Sequence, residues 1–492
     1  MDGPDRTVTA GEPGDRRARE RAGHAAVSGS SVEGFFARLR AREFSRLDAA
    51  GHTYLDYTGA GLYAERQIRV HADFLATEVL GNPHSWNPTS RVATERVAAA
   101  RAAVLAFFRA DPGEYDVIFT PNATGALKLV GESFPFTAAS RFVLTADNHN
   151  SVNGIREYAR AAGAQVVYVP LDPELRLPDI GRYLPPVTRD RPGLFAYPAQ
   201  SNFTGVIHPL ALVEQAAAAG YRVVLDAAAY VPTHALDLSA VHPDFVCISF
   251  YKMFGFPTGV GALLARRDAL VELRRPWFAG GTARFAPGPD GTPAPELTGE
   301  AFEDGTLNFL GIAAVPAGLE LLREIGMGRL EEHVRTLTAG LLRRFSDLLH
   351  GNGEPLVRVY GPAGTEDRGG TVAFNVVDPE GRVVDAGEVE ERAAEARISL
   401  RTGGFCNPGA AHFAFDYSSI DDFPDFSTLH PDRFTIEQFA ACPDTKPVGA
   451  VRVSFGIASV SADIDRLIEV LSGFRDRPAG RTMRVVPKLV VG

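Results

Sequence analysis

Between about residues 90 and 265, short apolar runs recur along the chain: YDVIFT, RFVLTA, AQVVYVPL, GLFAYPA, YRVVLDAAA, DFVCISF and GVGALLA. Near-continuous apolar runs of this length are the pattern of strands buried on both faces. Between several of them lie ATGALKLVGESF, SVNGIREYARAAG and LALVEQAAAAG, whose apolar positions follow helical spacing. Strand and helix alternating in this way predict an α/β fold with a largely parallel sheet. In such sheets ligands sit beyond the carboxyl ends of the strands, so the residues just after each run carry the chemistry.

From about residue 310 the pattern changes. Long amphipathic stretches, AAVPAGLELLREIG and LEEHVRTLTAGLLRRFSDLLHG, are followed by shorter strands TVAFNVV, ISLRTG and AVRVSFG and a closing helix ADIDRLIEVLSGF. These predict a second, smaller α/β domain. RFAPGPDGTPAPELTG, rich in Pro and Gly, reads as a loop between the two. The expected organisation is a disordered tail over 1–30, a large domain over 31–310, a small C-terminal domain over 311–480 and a tail over 481–492. Residues 31–90 are expected to contribute to both the active site and the small domain.

At 492 residues the chain exceeds what one core usually holds, in line with two domains. A formal net charge of −10 argues against nucleic acid or anionic membrane as a partner. The start has no signal-peptide core, and no apolar run of about 18 residues could span a bilayer. Three scattered cysteines, Cys247, Cys406 and Cys442, suit neither a disulfide framework nor a metal cluster, and fit a reducing cytoplasm. Of 50 basic residues only four are lysine: Lys128, Lys252, Lys446 and Lys488. A lysine kept in so arginine-rich a chain draws attention, because an amine can act as a nucleophile where a guanidinium cannot.

The strand ends supply candidate chemistry. Asp226 follows YRVVL; Ser249, Tyr251 and Lys252 follow DFVCI; PNATGAL after YDVIFT offers Thr124 and a helix start to a phosphate; and DNHNS after RFVLTA places His149 on the same rim. A phosphate cradle, a carboxylate, an amine and a ring suited to stacking together match the needs of pyridoxal 5′-phosphate. No one piece is decisive. Their conjunction in order on one edge carries the reading.

YLDYTGAG, GNPHS, TPNATGALKLV, DNHNSVNGIR, SNFTG, the run from LDAAAYVPTH to YKMFGFPTGVGALL, FEDGTLNFL and RTGGFCNPGA resemble the class V aminotransferase family of fold type I pyridoxal phosphate enzymes. The resemblance is nearest to the cysteine desulfurase domain of molybdenum cofactor sulfurases, and spans roughly residues 35–475. It implies a large domain with a mainly parallel seven-stranded sheet. It also implies that Lys252 holds the cofactor covalently, Asp226 pairs with its ring nitrogen and His149 stacks on the ring. Ala123, Thr124, Ser249 and Tyr251 would hold the phosphate, and Asn202 and Ala229 would lie near the cofactor oxygen. Arg401 would grip the substrate carboxylate bidentately, with Asn202 close by and His84 at the mouth. A homodimer is implied, in which Thr282 reaches the neighbouring subunit's phosphate site.

Where those sulfurases read RTGCFCNxGAC, this chain reads RTGGFCNPGAA, so that Cys406 alone remains as a thiol nucleophile. It could equally be a small buried packing residue. The expected substrate is a small amino acid, cysteine or a derivative, cleaved at carbon–sulfur by a desulfurase-like or lyase reaction with a sulfur acceptor as partner. The alternatives are an aminotransferase, epimerase or decarboxylative enzyme of a specialised pathway, or a binding or regulatory protein that has kept the fold.

Overall fold

The computed structural model describes residues 31–480, apart from 84, 278–279, 281–282, 286, 289–290, 293, 296–297 and 418–446. The expected tails, 1–30 and 481–492, lie outside the described residues. After a first short strand, β1 (Thr53–Tyr54), come β2 (Tyr115–Thr120), β3 (Arg141–Thr145), β4 (Gln165–Val169), β5 (Gly193–Pro198), β6 (Arg222–Asp226), β7 (Phe245–Ser249) and β8 (Gly261–Arg266). The last seven form one sheet in the order β2-β8-β7-β6-β5-β3-β4. Neighbours from β7 through β4 pair in parallel, and β8 runs antiparallel to both its partners. β5 and β7 are buried along their whole length because helices cover both faces of the sheet. On one face lie helices Ala123–Ser133 and Ile155–Ala161; on the other, Pro88–Phe107 packs against Val315–Ile325. Each Leu or Phe sealed between these layers contributes roughly 1.5–3 kcal/mol.

Beyond the large sheet, β9 (Ala283–Phe285) and β10 (Ala294–Pro295) pair antiparallel inside the stretch read from sequence as loop. Then β11 (Val357–Tyr360), β12 (Thr371–Val376), β13 (Ile398–Ser399), β14 (Arg401–Gly403) and β15 (Ala450–Ser454) follow. Four of them make an antiparallel sheet ordered β11-β12-β15-β14. The run ISLRTG, which reads as one strand, is two: β13 pairs in parallel with β1, and β14 turns to pair with β15. The N-terminal segment therefore belongs structurally beside the last strands. Helix Val32–Glu43 docks there as well, with Arg40 bonded to Asp463 at 2.7 Å and Phe36 stacked on His333.

One expected helix also differs from its sequence reading. SVNGIREYARAAG breaks at Gly154 into Asn150–Asn153 and Ile155–Ala161. The first of these begins on His149, so the break belongs to the rim where the chemistry lies.

Candidate active site

Strand β7 ends at Ser249 and the chain turns at once into helix Phe250–Phe254, which carries Tyr251 and Lys252. That helix stops at Gly255, whose φ is +78° and where a Cβ would overlap the backbone of Tyr63. The N-terminal segment thus presses on the lysine turn: the Gly61 N–H donates to Tyr251 O at 3.0 Å. β6, the neighbour of β7, ends at Asp226, whose Oδ1 accepts the Ala228 N–H at 3.0 Å. Carboxylate and amine reach the same rim because parallel neighbours end on the same side.

The phosphate-type cradle forms where β2 gives way to Asn122. Its side chain caps helix Ala123–Ser133 by accepting the Gly125 N–H at 3.0 Å, and Ser249 Oγ accepts the Ala123 N–H at 2.8 Å. Ser151 Oγ lies 2.8 Å from Thr124 Oγ1 and 2.9 Å from His149 Nδ1. His149 Nδ1 also accepts the Ser151 N–H at 3.1 Å, so the neutral ring carries its proton on Nε2. Burial pushes the His149 imidazole below the usual histidine value, with Asp226 opposing and Lys252 and Arg452 adding to the fall.

Burial likewise pushes the Lys252 ammonium below the usual lysine value. Asp226 and Asp56 oppose the shift, while Arg452 and Arg401 reinforce it. An amine displaced in this direction is closer to its nucleophilic, unprotonated form. Tyr251 moves the other way, its phenol pushed up chiefly by burial.

Ala123, Thr124, His149, Asn202, Asp226, Ala229, Ser249, Tyr251 and Lys252 all line one pocket. Thr282 and His84 lie outside the described residues. Arg401, at the start of β14, and Cys406, on the loop after it, stand beside the pocket. Arg401 donates its Nε and Nη2 to Asp56 Oδ2 at 3.0 and 2.6 Å, which engages one bidentate edge of the guanidinium. Cys406 is exposed, which rules out the buried packing role. It and Phe405 both have φ of +53°, in the left-handed region.

This loop is stapled to the pocket wall. The Cys406 carbonyl accepts the Asn150 N–H at 2.7 Å, next to His149, and the Phe405 carbonyl accepts Asn202 Nδ2 at 2.7 Å. Asn407 donates to Asn202 Oδ1 at 2.9 Å and to Asp147 O at 2.6 Å, and its own Oδ1 caps helix Pro408–Ala414. Gly409 is required there, since a Cβ would overlap the Ala146 carbonyl.

Sequence reasoning missed Asp56, Ser151, Gln200, Asn407 and Arg452. Ser151 and Gln200 line the pocket. Arg452 is buried and donates Nη1 to Asn202 O at 2.9 Å and Nη2 to Asp56 Oδ1 at 3.0 Å. A usable signal existed for it: an arginine in the middle of the apolar strand AVRVSFG needs a buried partner. Among the described residues no cluster of His, Cys, Asp or Glu could hold a metal ion, and no helix is long and apolar enough to cross a membrane.

A parallel sheet with a lysine, a carboxylate and a helix start gathered on one rim is the frame of a fold type I enzyme. The family model described as Aminotransferase class-V matches residues 53–467, and the chain belongs to that family. It is 37% identical over 470 residues to a molybdenum cofactor sulfurase of Homo sapiens, covering 91% of this chain and 52% of that protein. The chain spans about half the length of the curated relatives it matches. The fold is similar to that of an apo cysteine desulfurase from Thermococcus onnurineus NA1, with a TM-score of 0.74 and 23% identity over 89% of this chain and 97% of that one. It is also similar to a cystine C–S lyase solved with its reaction product cysteine persulfide, with a TM-score of 0.65 and 21% identity over 88% and 100% of the two chains.

Proposed function

We propose that this protein is a pyridoxal phosphate enzyme that cleaves the carbon–sulfur bond of cysteine or a cysteine-derived amino acid and takes the sulfur onto Cys406. The observation that carries the reading is the convergence of Lys252, Asp226, His149 and the Ser249-braced helix start in one pocket. The residues fit the cofactor: a buried carboxylate suits a pyridinium nitrogen, an amine pushed toward its free form suits the aldehyde, and a helix start flanked by hydroxyls suits the phosphate. When bound, pyridoxal phosphate supplies an electron sink for the substrate's Cα.

The chain's own residues would do the rest. Lys252 would be the base positioned to remove the substrate's Cα proton. Asp226 would keep the ring nitrogen protonated, and the neutral imidazole of His149, held by its cap on Ser151, would cover the ring. Cys406, exposed on a loop tied to Asn150 and Asn202, is the thiol available to attack the substrate's sulfur. Its sulfur forms the new S–S bond as the substrate's Cβ–S bond breaks. The carbon fragment keeps that electron pair, takes a proton and leaves as alanine, and Cys406 is left as a persulfide for an acceptor. The same reading takes the working form as a cytoplasmic homodimer, with Thr282 serving the neighbouring subunit. It divides the chain near residue 310 into a large and a small domain.

Purified protein should be incubated with cysteine, cysteine sulfoxides and larger cysteine conjugates, with alanine, sulfide, pyruvate and ammonia followed together. Alanine formed with a reductant-labile sulfur on Cys406, and lost in Cys406→Ser, is the expected result. Pyruvate and ammonia at an undiminished rate in Cys406→Ser would replace desulfuration by a lyase reaction that needs no protein thiol. Keto acid without sulfur release would point to transamination.

A further inference from the structure

Behind the pocket lies a buried charged pair that the proposed reaction does not use. The side chains of His208 and Asp147 are each 1% exposed, and His208 Nε2 donates to Asp147 Oδ2 at 2.7 Å, since a carboxylate only accepts. The other carboxylate oxygen, Oδ1, is buried without a hydrogen-bond partner among the described residues. Taking these groups out of water is costly, and a pair that leaves one oxygen unmet stabilises a core no better than two apolar side chains of similar size. What the bond does provide is a fixed distance between two segments. Asp147 belongs to the segment 147–150, which follows β3 and carries His149. His208 closes the hairpin 199–208, which follows β5 and carries Asn202: its N–H donates to Ala199 O at 3.0 Å, and Gln200 bridges to Ile207. Both segments grip the loop of Cys406. From the first, Asp147 O accepts Asn407 Nδ2 at 2.6 Å, and the Asn150 N–H donates to Cys406 O at 2.7 Å. From the second, Asn202 Nδ2 donates to Phe405 O at 2.7 Å, and Asn202 Oδ1 accepts from Asn407 at 2.9 Å. Between these anchors Phe405 and Cys406 both take a φ of +53°, which costs free energy in residues with a Cβ and persists only where the surroundings hold it.

We propose that His208 is a positioning residue for the thiol: through Asp147 it sets the spacing of the two segments, and that spacing holds the left-handed turn that presents Cys406 to the substrate's sulfur. The inference rests on the functional reading above and deepens it. An aliphatic side chain at 208 removes the donor, leaves the carboxylate unpaired and lets the segments drift, so that the carbonyls of Phe405 and Cys406 no longer meet both anchors. Lys252, Asp226 and the helix start at Ala123 are held by strand register on the other side of the pocket, and cofactor and substrate binding depend little on that drift. A misplaced nucleophile loses rate rather than affinity.

The test is made on the holoenzyme with three variants. His208→Leu removes the donor. His208→Gln keeps a side-chain N–H able to reach Asp147. Asp147→Leu/His208→Leu removes the buried charge altogether and keeps a foldable core should the single leucine protein fail to fold. Two quantities are followed: the rate of Cys406 alkylation by iodoacetamide, read by peptide mass spectrometry, and kcat and KM for alanine formation from cysteine. In either leucine protein alkylation should rise about threefold or more, as the loop opens locally. In the same proteins kcat should fall about tenfold or more with KM within about twofold of wild type, and His208→Gln should recover both toward wild type. A merely structural pair would lower the unfolding midpoint while the folded protein kept its wild-type alkylation rate and kcat, which overturns the proposal, as does a glutamine protein no better than the leucine one. The alkylation readout does not depend on turnover. Unchanged alkylation in the leucine proteins, where Cys406→Ser abolishes alanine formation, sinks this inference alone. Faster alkylation, where Cys406→Ser turns cysteine over undiminished, sinks only the functional reading.

Discussion

The two sides of the pocket are built in different ways. On one side Asp226, Ser249 and Lys252 sit at the ends of adjacent strands of a single sheet, within a stretch of chain only twenty-seven residues long. On the other, Asp56, Asn202, Arg401, Asn407 and Arg452 come from four separate regions and meet through side-chain hydrogen bonds. The first side inherits its geometry from backbone register, since Asp226 pairs with Cys247 across β6 and β7. The second holds only while each polar contact is made, and a lost contact there strands a buried polar partner. Chemistry placed on the first side should therefore survive small disturbances, and the position of Cys406 on the second should not.

The largest effect should come from the register-built side. Lys252→Ala is expected to abolish turnover, and borohydride reduction of wild type followed by peptide mapping should put the covalent label on Lys252. A label on Lys128, whose side chain is largely exposed and pairs with Glu132, would break the comparison at its root. Next, Asp226→Asn keeps the shape of the side chain and removes its charge. Its kcat should fall by on the order of 10²–10³ or more while the cofactor is retained; steady-state rates against cofactor content measure this directly.

The contact-built side should respond in stability and loop order first. Asn407 is fully buried, and Asn407→Ala leaves Asp147 O and Asn202 Oδ1 without their donor and removes a helix cap. A loss of about 2 kcal/mol is expected in denaturant unfolding, with faster alkylation of Cys406 and an unchanged cofactor absorption band. If the absorption band shifts as strongly as the alkylation rate, the two sides are one unit and the contrast fails.

The smallest effect is acid sensitivity. Burial pushes His234, in the turn after Asp226, down to about 4, and lowers His149 in the same direction. Between the ordinary value of 6.5 and these lower folded-state values, the unfolded chain binds protons that the folded chain refuses. Stability should then be fully present above 6.5 and decline as pH falls from there toward about 4, by chemical denaturation at a series of pH values. His234→Phe, which preserves the stacking with Tyr230, should flatten part of that slope.

Much of the large sheet could be read directly. All seven apolar runs became strands within three residues of their sequence limits, because a continuous apolar run flanked by turn residues has few other ways to bury itself. The nine pocket-lining candidates fall on the rim for the same reason. The strand β11 and the division of ISLRTG into β13 and β14 could not be read in this way. Short strands take their pairing from whichever neighbour is present, and here one of the neighbours is β1, more than three hundred residues away in the chain.

Local pattern alone determined that a parallel sheet would deliver an amine and a carboxylate to one edge, since strand direction and strand length are short-range properties. Only the tertiary structure decided that Arg401 would be engaged by Asp56, that Arg452 would be buried beside it, and that Cys406 would be exposed rather than packed. Charge pairing and exposure depend on which segments meet after folding. Asp56 and Arg452, at 396 positions apart, come together only because the chain just after β1 bridges from Asp56 to Ser454 at the end of β15.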